Sequence, residues 1–240
     1  MTRIKLATLA VVLALPGCAT MGPPKFLVNV DSLASPSAAM KKSYILLPGN
    51  KGVTKDDLQF QEYAHYVTRG LAAHGFTPAE TVANANVAIV LSYGIGDPQS
   101  HQYSYSLPVY GQTGIASSNT YGTLSSYGNS SSYSGTTTYT PSYGVTGYTS
   151  ETGSYTTYYR YAQITAYDFQ RYLRTKEQRE LWKTTVSSTG SSGDLRLVFP
   201  ILIAAAAPYI ATDTGRKIQV VLEESDPSVA AIELSSTAQK

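Results

Sequence analysis

The apolar positions of this chain follow two different periods, which predict strands and helices in alternation. Residues 43–47 form a short apolar run that stops at a Pro-Gly-Asn sequence, as expected of a buried strand. Over residues 54–75 the apolar positions recur every three or four residues, which predicts an amphipathic helix. Its stripe consists of Phe60, Tyr63, Ala64, Val67 and Leu71. Thr54 and Asp57 have the spacing of a capping box, and Gly75 supplies the left-handed residue with which such a helix ends.

Regular patterns return on both sides of the middle of the chain. Residues 87–91 are apolar on both faces, which predicts a central strand. Residues 158–167 alternate with period two, and together with residues 180–186 they predict a hairpin. An aspartate can cap a second helix over residues 194–210, which two prolines should kink, and whose apolar run is short for a membrane span. A last, half-exposed strand is predicted at residues 218–222.

The middle segment, residues 98–157, consists mainly of Ser, Thr, Gly and Tyr. Between Asp97 and Arg160 the only charged side chain is that of Glu151. Tyrosines recur every six residues, at Tyr121, Tyr127, Tyr133 and Tyr139. This even spacing would align them on one face of an extended chain, whereas a helix would scatter them. The segment is interpreted as a disordered insert or loose hairpin, because it has so few aliphatic residues, or else as a sticky, partner-binding or self-pairing element.

These elements predict a fold of class α+β. The order is β-α-β-β-β-α-β, interrupted by the insert, in a single small domain. Its mixed or antiparallel sheet has about five strands, and the two helices lie on one face of that sheet because their apolar stripes need covering. The expected domain comprises residues 43–97 and 158–223, with a loose tail at 224–240.

Cys18 is the only cysteine of the 240 residues. It closes the sequence Leu-Pro-Gly-Cys, which follows an apolar run at residues 6–15 with Arg3 and Lys5 before it. This is the layout of a secretory signal, and its end resembles the lipobox of bacterial lipoproteins. The resemblance implies cleavage after residue 17 and acylation of Cys18 with chains such as palmitate, with residues 18–42 as the tether. A plain cleaved signal is the alternative.

Few candidates for chemistry emerge from the rest of the sequence. The formal net charge is only +2, so the composition does not indicate a protein that binds nucleic acid. The predicted helix places His65 and His74 on opposite sides, and no second cysteine is available for zinc, so no metal or cofactor is expected. A G-x-S-x-G elbow is absent, and the many serines make any apparent triad a matter of chance. No catalytic residue is therefore assigned.

Several short motifs together resemble a family of uncharacterised proteobacterial lipoproteins, known as a domain of unknown function. They are the lipobox, the strand over residues 86–94, the hairpin with Tyr167-Asp168 and Leu181-Trp182-Lys183, and the final helix and strand. The resemblance covers roughly residues 40–97 and 158–223, and the tyrosine-rich insert departs from the family pattern. The family supplies no catalytic residues.

The sequence thus favours a non-enzymatic lipoprotein of the cell envelope, held to the membrane by lipid on Cys18. In the lipoproteins of enteric bacteria, Asp after the cysteine is a signal for retention in the inner membrane. This chain has Ala19 there, so the resemblance implies the outer membrane of a Gram-negative bacterium. The four repeat tyrosines are the candidate contacts with an envelope partner. The alternative is a structural surface protein that associates with itself through the repeat, and a third interpretation is a hydrolase, for which no motif is present.

Overall fold

The computed structural model describes residues 23–38 and 41–234. Within these residues the chain forms eight strands and four α-helices. The strands are β1 (Lys25–Ala34), β2 (Ser43–Pro48), β3 (Thr77–Pro78), β4 (Val87–Ile95), β5 (Gln99–Tyr127), β6 (Ser130–Asp168), β7 (Glu180–Gly190) and β8 (Ile218–Glu223). The helices are α1 (Leu58–Ala72), α2 (Phe169–Thr175), α3 (Leu195–Ala206) and α4 (Pro227–Glu233).

The predicted fold class is wrong. Strands account for 53% of the described residues and helices for 23%, so the fold is dominated by one large mixed sheet instead of a small five-stranded one with two helices. The strand order is β3-β2-β4-β6-β7-β1-β8, and β5 pairs with β6. β2 runs parallel to β3 and β4, whereas β1 runs antiparallel to β7 and β8.

Three segments account for the difference. The predicted tether contains β1, whose alternate residues Val28, Val30 and Ser32 are fully buried while Leu27 and Leu33 are exposed. The predicted insert forms β5 and most of β6, and the predicted tail contains α4. Their Pro, Ser and Gly content predicted irregular structure. Backbone pairing instead orders β1, β5 and β6, and the burial of Val229 and Ile232 orders α4.

The first predicted helix is present, with a different start. Asp57 is itself the N-cap and accepts a hydrogen bond from the backbone N–H of Phe60, so Thr54 is not the cap of a capping box. At the other end Gly75 has a φ of +74°, as predicted. Its N–H donates to Ala72 O and the N–H of Phe76 donates to Leu71 O, which is the hydrogen-bond pattern of a Schellman motif.

The second predicted helix corresponds to α3, capped by Asp194, which accepts from the N–H groups of Arg196 and Leu197. Every residue of α3 except Arg196 and Leu197 is buried, so the prediction of a core helix is confirmed. α3 contacts α1, α4, β1 and β8. None of the helices in the described residues is long and apolar enough to cross a membrane.

Aromatic packing fixes α1 against α3 and β4. The ring of Tyr63 stacks on Phe199 with 3.9 Å between centroids and meets Tyr93 edge-on at 4.7 Å. Burial raises the pKa of Tyr63 to about 12. Trp182 is also buried and meets Phe76 edge-on, so it belongs to the core.

The chain divides into two compact units. The α/β domain comprises the described residues up to Gly94, Arg160–Ser188 and those from Asp194 onward. The hairpin unit comprises Ile95–Tyr159 and Thr189–Gly193, and it holds β5 and most of β6.

Candidate interaction site

The hairpin unit contains all four predicted interaction tyrosines. β5 and β6 pair in antiparallel fashion from Gln99 opposite Thr157 to Tyr127 opposite Ser130. Gly128 and Asn129 make the turn, and Gly128 has a φ of +60°, which fits a type II′ turn with glycine first. Gly-Asn between two β-prone segments is a hairpin signal, and it is the sequence feature that identifies this structure.

Three register shifts divide the hairpin into two regular parts. The shifts lie at 109/110, 112/114 and 115/117 of β5, where one strand carries an extra residue. We call residues 99–109 with their partners 147–157 the base section. Residues 117–127 with their partners 130–140 form the tip section, in which the register is continuous over all pairs.

The four tyrosines lie in the tip section, but the predicted alignment of all four on one face is wrong. Tyr121 and Tyr127 are on β5, opposite Thr136 and Ser130. Tyr133 and Tyr139 are on β6, opposite Leu124 and Ser118. Directly opposed residues share a face and neighbours alternate, so the turn places the first pair on one face and the second pair on the other. The result is two tyrosines per face.

These side chains are strongly exposed. The exposed fractions are 74% for Tyr121, 94% for Tyr127, 62% for Tyr133 and 60% for Tyr139. Tyr133 lies over the cross-strand pair Gly122 and Gly135, where a Cβ on either glycine would collide with its ring. Glycine at these two positions therefore provides room for the ring to lie close to the backbone.

Hydroxyl pairs join the strands between the tyrosines. Thr120 and Thr137 hydroxyls are 2.8 Å apart, and those of Ser126 and Ser131 are 2.9 Å apart. Because both pairs are exposed, they order the surface more than they stabilise it. The tip section thus carries large rings within a hydrogen-bonded polar surface.

The base section carries a second group of aromatic residues that the sequence analysis missed. Four rings lie on one face: His101, Tyr103 and Tyr105 from β5 and Tyr155 from β6. His101 stacks on Tyr155 at 5.0 Å between centroids, and Tyr103 lies 6.1 Å from Tyr155 and 5.9 Å from Tyr105. The signal was the alternation Tyr-Ser-Tyr-Ser-Leu at residues 103–107, since period two places every second residue on the same face.

The remaining predicted position, Cys18, lies outside the described residues. Of the histidines, His65 accepts from Arg69 on α1, His74 contacts Ala207 O, and His101 is in the base section, so the structure brings no two of them together. Among the described residues, no group of three or more His, Cys, Asp or Glu is placed to hold a metal ion.

An apolar concavity of about 350 Å³ lies in the α/β domain. Its lining includes Leu47 and Val90 from the sheet and Phe169 and Tyr172 from α2. Beside it Asp168 caps α2 and accepts from Lys41 Nζ at 2.6 Å. Burial alone would raise the pKa of Asp168, but the hydrogen bonds from Lys41 and from the N–H of Arg171 outweigh it and lower that pKa. This pair is explained by helix capping, and the concavity contains no arrangement for acid–base chemistry.

Comparisons with known proteins find a weak structural likeness. No protein-family model matches the chain, and no curated protein sequence matches it. A crystal structure of a PDZ domain protein from Parabacteroides distasonis resembles it with a TM-score of 0.35 at 11% sequence identity. The match covers 83% of this chain and 39% of that protein. Likeness at that level carries no argument about the present chain.

Proposed function

We propose that this chain is a non-enzymatic lipoprotein of the bacterial cell envelope that binds a partner through its tyrosine-rich hairpin. Lipid on Cys18 anchors it, in the outer membrane of a Gram-negative organism. The resemblance of the lipobox and of the short motifs to proteobacterial lipoproteins supports the envelope part of the proposal. The hairpin supports the binding part.

The single observation that carries the proposal is the exposure of tyrosines on a regular, paired backbone. Tyrosine brings a large amphipathic contact area and loses little conformational freedom on binding, since its side chain has only two rotatable angles. Serine and glycine beside it adapt their hydrogen bonds to a partner. Tyr121 and Tyr127 on one face, and Tyr133 and Tyr139 on the other, offer such contacts on both sides of the tip section.

The charge of the hairpin narrows the kind of partner. Glu151 is the only charged residue between Asp97 and Arg160, so electrostatic steering contributes little here. Recognition would therefore depend on ring contacts and neutral hydrogen bonds. A protein surface with exposed aromatic or backbone groups fits this chemistry better than a nucleic acid does.

Affinity capture from detergent-solubilised envelopes tests the proposal. The bait is the full-length protein, compared with a variant that lacks residues 98–157. We expect the same envelope proteins to bind the intact bait in repeated captures and to be absent from the deletion variant. Equal capture by both baits would show that the hairpin is not the binding element.

The alternative is a structural surface protein that associates with itself. It has a specific observation in its favour, because the described part of the chain gives β5 no strand partner other than β6. The outer edge of the hairpin therefore has unpaired backbone groups.

A further inference from the structure

The edges of the hairpin are protected unequally along its length. A strand edge exposes backbone N–H and C=O groups to which another strand can pair, and proteins prevent such pairing with charges, prolines and bulges. In the base section and the register-shift region such devices are frequent: Pro108, Glu151, Pro141 and the three register shifts. These features interrupt any long, regular edge in that half.

The tip section has none of these devices. Residues 117–127 and 130–140 contain no proline and no charged residue, and their register is continuous. Thr and Tyr, which favour strands, are frequent there. Every residue of both strands in this section is exposed. The tip is therefore a long regular edge with nothing to block a further strand.

A hairpin of two strands is also only marginally stable by itself in water. Within the described residues, β5 and β6 of the tip section pair only with each other. Adding a strand at the edge would satisfy the outward N–H and C=O groups and bury part of the tyrosine surface. The stability of the tip thus favours an occupant at the edge.

We propose that the occupant is the tip section of a second copy of this chain, paired edge to edge through the backbone. This inference goes beyond the binding of an envelope protein, because it adds a contact between two copies of the chain through the same hairpin. A second tip is uncharged and therefore meets no electrostatic repulsion. It also has the same unsatisfied edge, and so both copies gain backbone hydrogen bonds. On each face, the tyrosines of the first tip would lie beside those of the second tip as cross-strand neighbours and form a row.

Sedimentation of the purified full-length protein in detergent, over a wide concentration range, tests the inference. The wild type should form dimers or larger assemblies. The double variant Thr123→Lys and Thr138→Lys should associate at least about tenfold more weakly, because like charges then meet at the shared edge. In the hairpin itself these two residues face Ser134 and Asn119, so the new lysines do not oppose each other.

A matched control carries the same charges in the base section. The control is the double variant Ser100→Lys and Thr152→Lys. Ser100 lies opposite Thr156, and Thr152 lies opposite Ser104. The two lysines are therefore four residues apart along the hairpin, as they are in the tip variant. This variant should associate like the wild type. Fluorescence of Trp182, the only tryptophan, which is buried in the α/β domain, verifies that each variant is folded.

Two results would overturn the inference: a wild-type protein that is monomeric at every concentration, or equal weakening by the tip and base lysines. The outcome is separable from that of the proposed function. A monomeric protein that still captures an envelope protein through residues 98–157 refutes only the self-pairing. An assembly that captures no other protein refutes the binding of a different partner.

Discussion

At the scale of single residues, the α/β domain depends on apolar side chains with no exposed surface. Leu71 on α1 is one of them, with an exposed fraction of 0%. Leu71→Ala should lower the free energy of unfolding by about 2–4 kcal/mol, because it leaves a cavity in a packed core. Urea denaturation followed by Trp182 fluorescence measures this loss.

The control for that prediction lies on the same helix. Leu58, the first residue of α1, is 82% exposed, so Leu58→Ala should change the free energy of unfolding by less than about 0.5 kcal/mol. If the two variants unfold at the same urea concentration, the packing assigned to α1 is incorrect.

The ion pair of Asp168 and Lys41 predicts a pH dependence of stability. The pKa of Asp168 is lower in the folded protein than in an unfolded chain, so its contribution is present above the unfolded pKa of about 3.9 and is lost as the pH falls through the folded pKa. The wild type should be more stable than Asp168→Asn at pH 7, and this advantage should shrink as the pH falls from about 5 toward 2. Thermal melts of both proteins across that range measure it, and a constant difference would refute the ionic contribution.

At the scale of elements, the hairpin and the α/β domain should be separable. Gly96 N–H donates to Tyr159 O at 2.7 Å, so the two chain segments that enter and leave the hairpin already lie side by side. Deleting residues 98–157 and joining Asp97 to Tyr158 should therefore leave a folded domain whose melting temperature changes by only a few degrees. Calorimetry of the two proteins tests this. Loss of the cooperative transition would mean that the hairpin is integral to the domain.

The elements that the sequence predicted correctly share a physical property. In β2, α1, β4, α3 and β8 the apolar residues mark the surface that packs against the core. α1 buries one stripe, β4 and α3 are buried on nearly all sides, and β8 alternates partly buried and exposed residues, so the period or the length of the apolar run predicts each element. The base and tip sections of the hairpin bury almost no side chains. Their residues are mostly Ser, Thr and Tyr, and hydropathy does not distinguish one face of such a strand from the other. There the informative signals were the Gly-Asn turn and the alternation of tyrosine with serine.

The faces of the repeat tyrosines could not be read from their spacing alone. A period of six gives one face only if all four residues lie on one strand. The two-residue turn at Gly128 and Asn129 falls inside the repeat and reverses the chain, so tyrosines before and after it take opposite faces. The position of the turn, and not the period, determines the geometry of the site.

At the scale of the whole molecule, the proposed lipid on Cys18 predicts that the protein is bound to a membrane. Radiolabelled palmitate should enter the wild type, and Cys18→Ser should abolish labelling and release the protein from membranes. Several acyl chains on one cysteine give much firmer anchoring than a single chain does. The apolar residues of α3 other than Leu197 are buried in the core, so they are not available to a membrane in the folded domain. Unchanged membrane fractionation of Cys18→Ser would refute the lipid anchor.

The proposed function requires the exposed tyrosine rings of the tip section to make the contacts of this protein. Its most direct test is quantitative capture from solubilised envelopes by the fourfold variant with Tyr121, Tyr127, Tyr133 and Tyr139 changed to Ser, beside the same four changed to Phe. The Phe variant keeps the rings and loses only the hydroxyl groups, so it is the matched control. We expect capture to fall about tenfold or more with Ser and to remain largely intact with Phe, since contacts of large aromatic residues dominate binding. Full capture by the Ser variant, with the protein still folded, would contradict the account and reduce the hairpin to a spacer.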